Sequence, residues 1–201
     1  MLGAVASYAF TQVGFETYHM AAGQTAIKFN NNKNLILRPN LLIMTLISET
    51  AYNRARHLNP FSFKYYGLTR ADIFVENEAV WTDGLQFNWD RGHYLRGYHE
   101  MLTVLGYMNS DDGIDITRHG WDQTFFCICA DLKEASHRSR NTSVGNMVTV
   151  DFKFRAPLAE NIRILCYCTY HNVCTIEQLL MAGSKQRTMA KVVKIDENII
   201  T

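Results

Sequence analysis

Residues 147–175, MVTVDFKFRAPLAENIRILCYCTYHNVCT, decide what kind of fold this chain adopts. Val148, Val150, Phe152 and Phe154 alternate with Thr149, Asp151, Lys153 and Arg155, the period of two of a strand with one dry and one wet face. Ala156-Pro157-Leu158-Ala159-Glu160 interrupts the pattern, because proline has no amide hydrogen to donate and fixes its own φ. Ile162, Ile164, Cys166, Cys168 and Tyr170 then resume the alternation, with Arg163, Tyr167 and Thr169 on the opposite side. The short connection predicts that these two strands pair antiparallel with each other.

Working outward, Thr124 to Leu132 reads as a strand with Phe125, Cys127 and Cys129 on one face, and Leu41 to Ile47 as a strand buried on both faces. Phe15 to Ala21 and Ala26 to Phe29 are further strands, closed off by the loop residues Asn30 to Asn34. Asp72 to Val75 and Ala79 to Trp81 bracket Glu76-Asn77-Glu78 as a hairpin, and the Asn59-Pro60 turn is expected to plug Phe61 and Phe63 into the core. One segment departs from the strand period. Between Asp90 and Gly106, Tyr94, Tyr98, Met101, Leu102 and Leu105 recur at helical spacing, with Asp90 as cap and Gly106 as stop.

Many short strands and a single good helix place the chain in the all-β class, as an antiparallel jelly-roll sandwich with one helix inserted in a connection. The expected organisation is one jelly-roll domain over 1–176 and a C-terminal tail over 177–201, helical or ordered only against a partner, where Lys185, Arg187, Lys191 and Lys194 fall.

At 201 residues the chain is long enough to bury about 70% of its unfolded surface in one core. Charged residues make up only 19%, below the ~25% of an ordinary soluble domain, which points to surfaces covered by neighbours. A net charge of +1 supplies no concentrated basic face, so nucleic acid is not expected as a direct partner. Lys133, His137, Arg138 and Arg140 form a small solvated loop, and Asn141-Thr142-Ser143 an ordinary polar one. Five cysteines are odd in number and do not read as a disulfide framework. The longest apolar run, Leu41 to Ile47, is far short of a membrane span.

The histidines and thiols are the side chains that could carry chemistry. None of the seven histidines is followed two positions later by Asp or Glu, so the iron site of jelly-roll oxygenases is missing. His99-Glu100 lacks the second histidine of a zinc protease helix. Cys127-x-Cys129 and Cys166-x-Cys168 offer four thiolates to zinc, but i and i+2 side chains on strands point together into apolar interior, where cysteine serves as a small hydrophobe. Cys174 beside His171 lacks a marked base, orienting group and oxyanion hole. No catalytic, cofactor-binding or metal-ligating residue is assigned. Trp89 and Trp121, flanked by polar residues, are expected to reach the surface, where a lectin-like ligand-binding sandwich would use them.

Leu58-Asn59-Pro60-Phe61-Ser62-Phe63, Tyr66-Gly67-Leu68, the Ile73-Phe74-Val75-Glu76-Asn77 hairpin, Tyr94-Leu95-Arg96-Gly97-Tyr98-His99 and the Phe152 to Asn172 strands occur in an order and spacing that resembles a known family. They are similar to the C-terminal half of capsid-like proteins from Polinton (Maverick) elements and adintovirus-type animal DNA viruses, over roughly Phe15 to Glu177. Arg38-Pro39-Asn40-Leu41-Leu42-Ile43-Met44 resembles that family's Leu-Pro-x-Arg-Ile-Ile segment with the basic residue displaced, and Tyr167-Cys168-Thr169-Tyr170-His171-Asn172 stands where the family is acidic. The resemblance implies the second barrel of a double jelly-roll shell protein more than twice this length. It further implies a non-enzymatic subunit that trimerises, joins other capsid subunits and resides in a virion, assembled inside the host cell.

Overall fold

The computed structural model describes residues 5–31, 39–111, 113–132, 147–179 and 189–196. In chain order they form β1 (Val5–Met20), β2 (Ala26–Asn31), β3 (Leu41–Ser48), α1 (Glu49–Tyr52), β4 (Leu68–Val75), β5 (Glu78–Ala79), β6 (Leu85–Gln86), α2 (Leu95–Val104), α3 (Arg118–Gln123), β7 (Cys127–Asp131), β8 (Val148–Phe154), β9 (Ile162–Leu179) and β10 (Met189–Asp196). One sheet runs β1-β9-β3-β7, with β10 also against β9; the other runs β2-β8-β4-β5, with β6 against β4. Every ladder is antiparallel. From β1 to β4 and again from β6 to β9 the chain alternates between the sheets, which is the wrapping of a jelly roll.

The two strands of the opening stretch do not pair with each other. β8 lies between β2 and β4, whereas β9 lies between β1 and β3 in the other sheet. Residues 155–161 cross the gap between layers rather than turning a hairpin. The β1–β2 connection crosses beside them, and the two are tied: the Gly23 N–H donates to the Leu158 carbonyl at 2.8 Å and the Leu158 N–H to the Gln24 carbonyl at 3.0 Å. Leu158 is buried there as a plug. Alternation identifies a strand, but it carries no information about which strand sits alongside.

The core is the space between the inner faces. Val148, Val150, Phe152 and Phe154 from β8 and Ile162, Ile164, Cys166 and Cys168 from β9 are all buried, with Leu42, Met44 and Leu46 of β3 and Ile73 and Val75 of β4 filling between them. Strand β3 is buried on one face and only half-covered along most of the other, so the expectation of burial on both faces is corrected. The hairpin at Glu76-Asn77 is confirmed: both residues have positive φ, 52° and 71°, the conformation a two-residue type I′ turn requires.

Four other expectations change. Helix α2 begins at Leu95, five residues after Asp90, whose carboxylate instead meets Arg155 at 2.6 Å. Two short helices, α1 and α3, join it; both are too brief to leave a periodic signature. Phe61 is 70% exposed, because its loop is held by the backbone pairing of Phe63 with Phe125 and not by its own ring. Towards the C-terminus, β9 continues through residue 176 to Leu179, and β10 pairs back onto it, so this part of the expected tail is strand. The basic loop, the Asn141 sequon, Lys185 and Arg187 lie outside the described residues.

If β8 is the inner wall of the core, Phe152→Ala should cost about 3–5 kcal/mol through lost burial and a residual cavity. Phe61→Ala should stay within about 0.5 kcal/mol. Urea midpoints at unchanged slope will separate the two.

Candidate functional site: the outer face of the β1–β9 ribbon

Antiparallel register places directly opposed residues on one face, so the ladders map the outer surface of the first sheet. One row crosses all four strands: Phe15, Tyr167, Ile43 and Cys129. The next comprises Val13, Thr169, Leu41 and Asp131. Phe15 is 58% exposed, Val13 52% and Tyr167 37%. Ile43, Leu41 and Leu165 are half-buried beside them. At the far end Cys129 is buried where α2 packs on β7, so the covered part of this face stops at β7.

Strand β3 stops pairing with β9 at Leu41 opposite Thr169. Beyond that point β1 and β9 run on together to Val5 and Glu177, with β10 joining on the other side of β9. The extension is roughly 30 Å of ribbon at about 3.4 Å per residue. Its other face carries Tyr8 and Phe10, 59% and 41% exposed. At roughly 200 Å² per ring, Tyr8 and Phe10 on one face and Phe15 and Tyr167 on the other each leave on the order of 200 Å² of aromatic surface in water. No hydrophobic period marks this stretch in the sequence, because Val5 to Val13 mixes small, polar and aromatic residues without alternation.

The same register settles the thiols. Cys166 and Cys168 oppose Met44 and Leu42, whose neighbours on β7 are Ile128 and Ala130; Cys129 and Cys127 oppose Ile43 and Thr45. The two cysteine pairs thus occupy opposite faces of one sheet with β3 between them, and four thiolates cannot converge. Among the described residues no three His, Cys, Asp or Glu side chains gather to hold a metal ion. Within the first pair, the Cys129 thiol donates to Cys127 Sγ at 3.9 Å, which lowers Cys127 and raises Cys129. Burial pushes Cys166 up. His171 and Cys174 are three apart on one strand and so project to opposite faces, with no dyad between them.

Trp121 is interior, correcting the expectation that it reaches the surface, whereas Trp89 is only partly covered. Trp121 is fully buried, its Nε1–H donating to the Cys127 carbonyl at 3.1 Å. Trp89 is half-buried, stacked on Tyr65 at 3.9 Å and Tyr94 at 4.9 Å, and donates to the Leu68 carbonyl. Of their polar neighbours Asp90 stays exposed whereas Asp122 is buried along with Trp121, and a Cβ at Gly97 of α2 would come within 2.6 Å of Phe87, so the helix seals the stack closely. Trp121 offers no face to a sugar and Trp89 is stacked on neighbouring rings, so the lectin-like reading loses most of the feature that prompted it.

Two open pockets lie elsewhere on the described surface. One, of about 330 Å³, is lined by Lys64, Tyr65, Tyr66, Gly67, Asp122 and Gln123. Asp122 Oδ1 is buried without a hydrogen-bond partner, 3.5 Å from His119 Nδ1. The other, of about 410 Å³, is lined by Glu49, Thr50, Asn53, Ala55 and Asn161. Glu49 accepts from Arg163 at 3.0 and 3.2 Å and meets His19 at 3.2 Å. Burial raises the Glu49 pKa, but Arg163, His19 and Asn161 together outweigh it and hold the carboxyl below its usual range. Neither pocket brings together a nucleophile, a base and an oxyanion donor. Among the described residues no helix is long and apolar enough to cross a membrane.

No protein-family model matches the chain, and no curated protein matches it. Among solved structures it is similar to PBCV-1 VP54, in a crystal structure fitted into a cryo-EM reconstruction of the virophage Sputnik, at 12% identity and a TM-score of 0.47. That likeness covers 95% of this chain and 52% of the other, so the chain spans about half that protein's length.

Thiol titration of the native protein at pH 8 should modify Cys127 and Cys174 and spare Cys129, Cys166 and Cys168, which are fully buried; fast reaction of Cys166 contradicts the assigned face. A carboxyl with a depressed folded pKa stabilises above its unfolded pKa and loses that contribution as pH falls through the folded one. Thermal unfolding followed from pH 6 to pH 3 should therefore decline more steeply in the wild type than in Glu49→Gln.

Proposed function

We propose that this chain is a capsid subunit without enzymatic activity: a jelly-roll barrel that tiles with copies of itself and with other capsid subunits into an icosahedral shell. A DNA virus or an endogenous viral element of the Polinton or adintovirus kind is the proposed source, the chain being the second barrel of a double jelly-roll protein, trimers its unit and the virion its location. The observation that carries the reading is an antiparallel jelly roll whose long β1–β9 ribbon presents Tyr8, Phe10, Val13, Phe15 and Tyr167 to water. A stiff sandwich with apolar surfaces held out for neighbours is what shell contacts of about 2,000 Å² or more require. The order and spacing of the Asn59-Pro60-Phe61, Tyr66-Gly67 and Ile73 to Asn77 segments support the kinship.

Sedimentation velocity and negative-stain microscopy of the purified chain at micromolar concentration test this. Trimers or larger assemblies are expected; a single species of 23.1 kDa, alone and when co-expressed with a preceding barrel, overturns it.

A further inference from the structure

Strand β1 is an edge: β9 pairs along one side of it, and among the described residues no strand pairs along the other. Natural proteins blunt such edges with lysine, proline, a bulge or a short strand, because an open row of N–H and C=O groups is a template for another strand. Here those devices are missing. The ladder with β9 runs from Val5 to Met20 without a register shift. Residues Val5 to Phe15 include no charged side chain and no proline. Four large hydrophobic side chains, Tyr8, Phe10, Val13 and Phe15, stand exposed on that same stretch.

From these features we infer that β1 pairs antiparallel with β1 of a second copy about a two-fold axis at Gln12, joining two barrels through one continuous sheet. The inference rests on the reading of the chain as a self-associating shell subunit and names the surface involved. A stretch without charges from Val5 to Phe15 gives an acidic or basic partner nothing to select, whereas pairing with itself is sterically specified. A two-fold axis perpendicular to the sheet keeps each face continuous, so only residues of like parity stand opposite one another. Centred on Gln12, this pairing sets Phe10 against Gly14, Phe15 against Ala9 and Thr11 against Val13. Each phenylalanine faces a residue with little or no side chain. Shifting the axis by one residue sets Phe10 against Gln12 or Glu16 instead. Gly14 is already roofed by the Tyr170 ring, whose Cε2 would lie 3.0 Å from an added Cβ, so an incoming Phe10 meets an aromatic surface rather than a void.

Full-length Gln12→Cys and Ala6→Cys proteins, oxidised mildly at micromolar concentration with the wild type as background control, read the register directly. At the axis the paired Cα atoms lie about 4.5–5.5 Å apart, within disulfide reach, whereas the two residues at position 6 lie roughly 40 Å apart. A covalent dimer of twice 23.1 kDa is expected for Gln12→Cys and none for Ala6→Cys. The double variant Ala9→Lys/Thr11→Lys, at two exposed positions, should remain folded and lose this contact in sedimentation. Equal cross-linking of both cysteine variants, or of neither, overturns the inference. Assemblies that persist in the lysine variant overturn the edge contact and leave self-assembly standing. An edge-linked dimer that never grows supports the edge and overturns the shell, and a monomeric wild type overturns both.

Discussion

The seam between the inward side chains of β8 and β9 is the contact on which the rest depends. Val148, Val150, Phe152 and Phe154 of one sheet and Ile162, Ile164, Cys166 and Cys168 of the other belong to one buried cluster between the layers. Only seven residues separate the strands, so the 155–161 crossing fixes how far apart the layers sit, and its pairing with the β1–β2 crossing through Leu158 holds that spacing from two sides. Each sheet then grows outward from its seam strand: β2 and β4 around β8, β1 and β3 around β9. Ser48 Oγ donates to Glu160 Oε2 at 2.6 Å and Arg163 clamps Glu49, so the polar end of the seam is pinned as well.

Much of this was legible in the residues, and the parts that were not share a cause. Period-two alternation marks β8 and β9 because each has one buried face. The helical recurrence of Tyr98, Met101, Leu102 and Leu105 marks α2 because one side of that helix faces the core. Which strands would be neighbours was not legible. The seven-residue crossing has the composition of a hairpin loop, and only the competition among all the strands for burial decides that it spans layers. Trp121 was misread for a local reason: Gly120 and Asp122 look like a surface turn, but α3 is a single amphipathic turn that drives the indole inward and takes Asp122 with it.

The ribbon was hidden for a different reason. Alternation depends on one face being buried, and Ala6 to Thr11 are exposed on both faces, so hydrophobic periodicity has nothing to act on there. What shapes this stretch is backbone pairing with β9, to which composition is nearly blind. The thiol pairs illustrate the converse: same-strand spacing correctly put each pair on one face, and only the cross-strand register could show that the faces differ.

The gripping of β9 from both sides has a mechanical consequence. Its hydrogen bonds to β1 and β3 lie perpendicular to its length, so a pull along the strand loads the whole ladder in shear at once and cannot unzip it bond by bond. Tension applied at the far end of the ribbon would reach the barrel as a shared load across the sheet, and the strand least able to peel away would be the one that projects farthest.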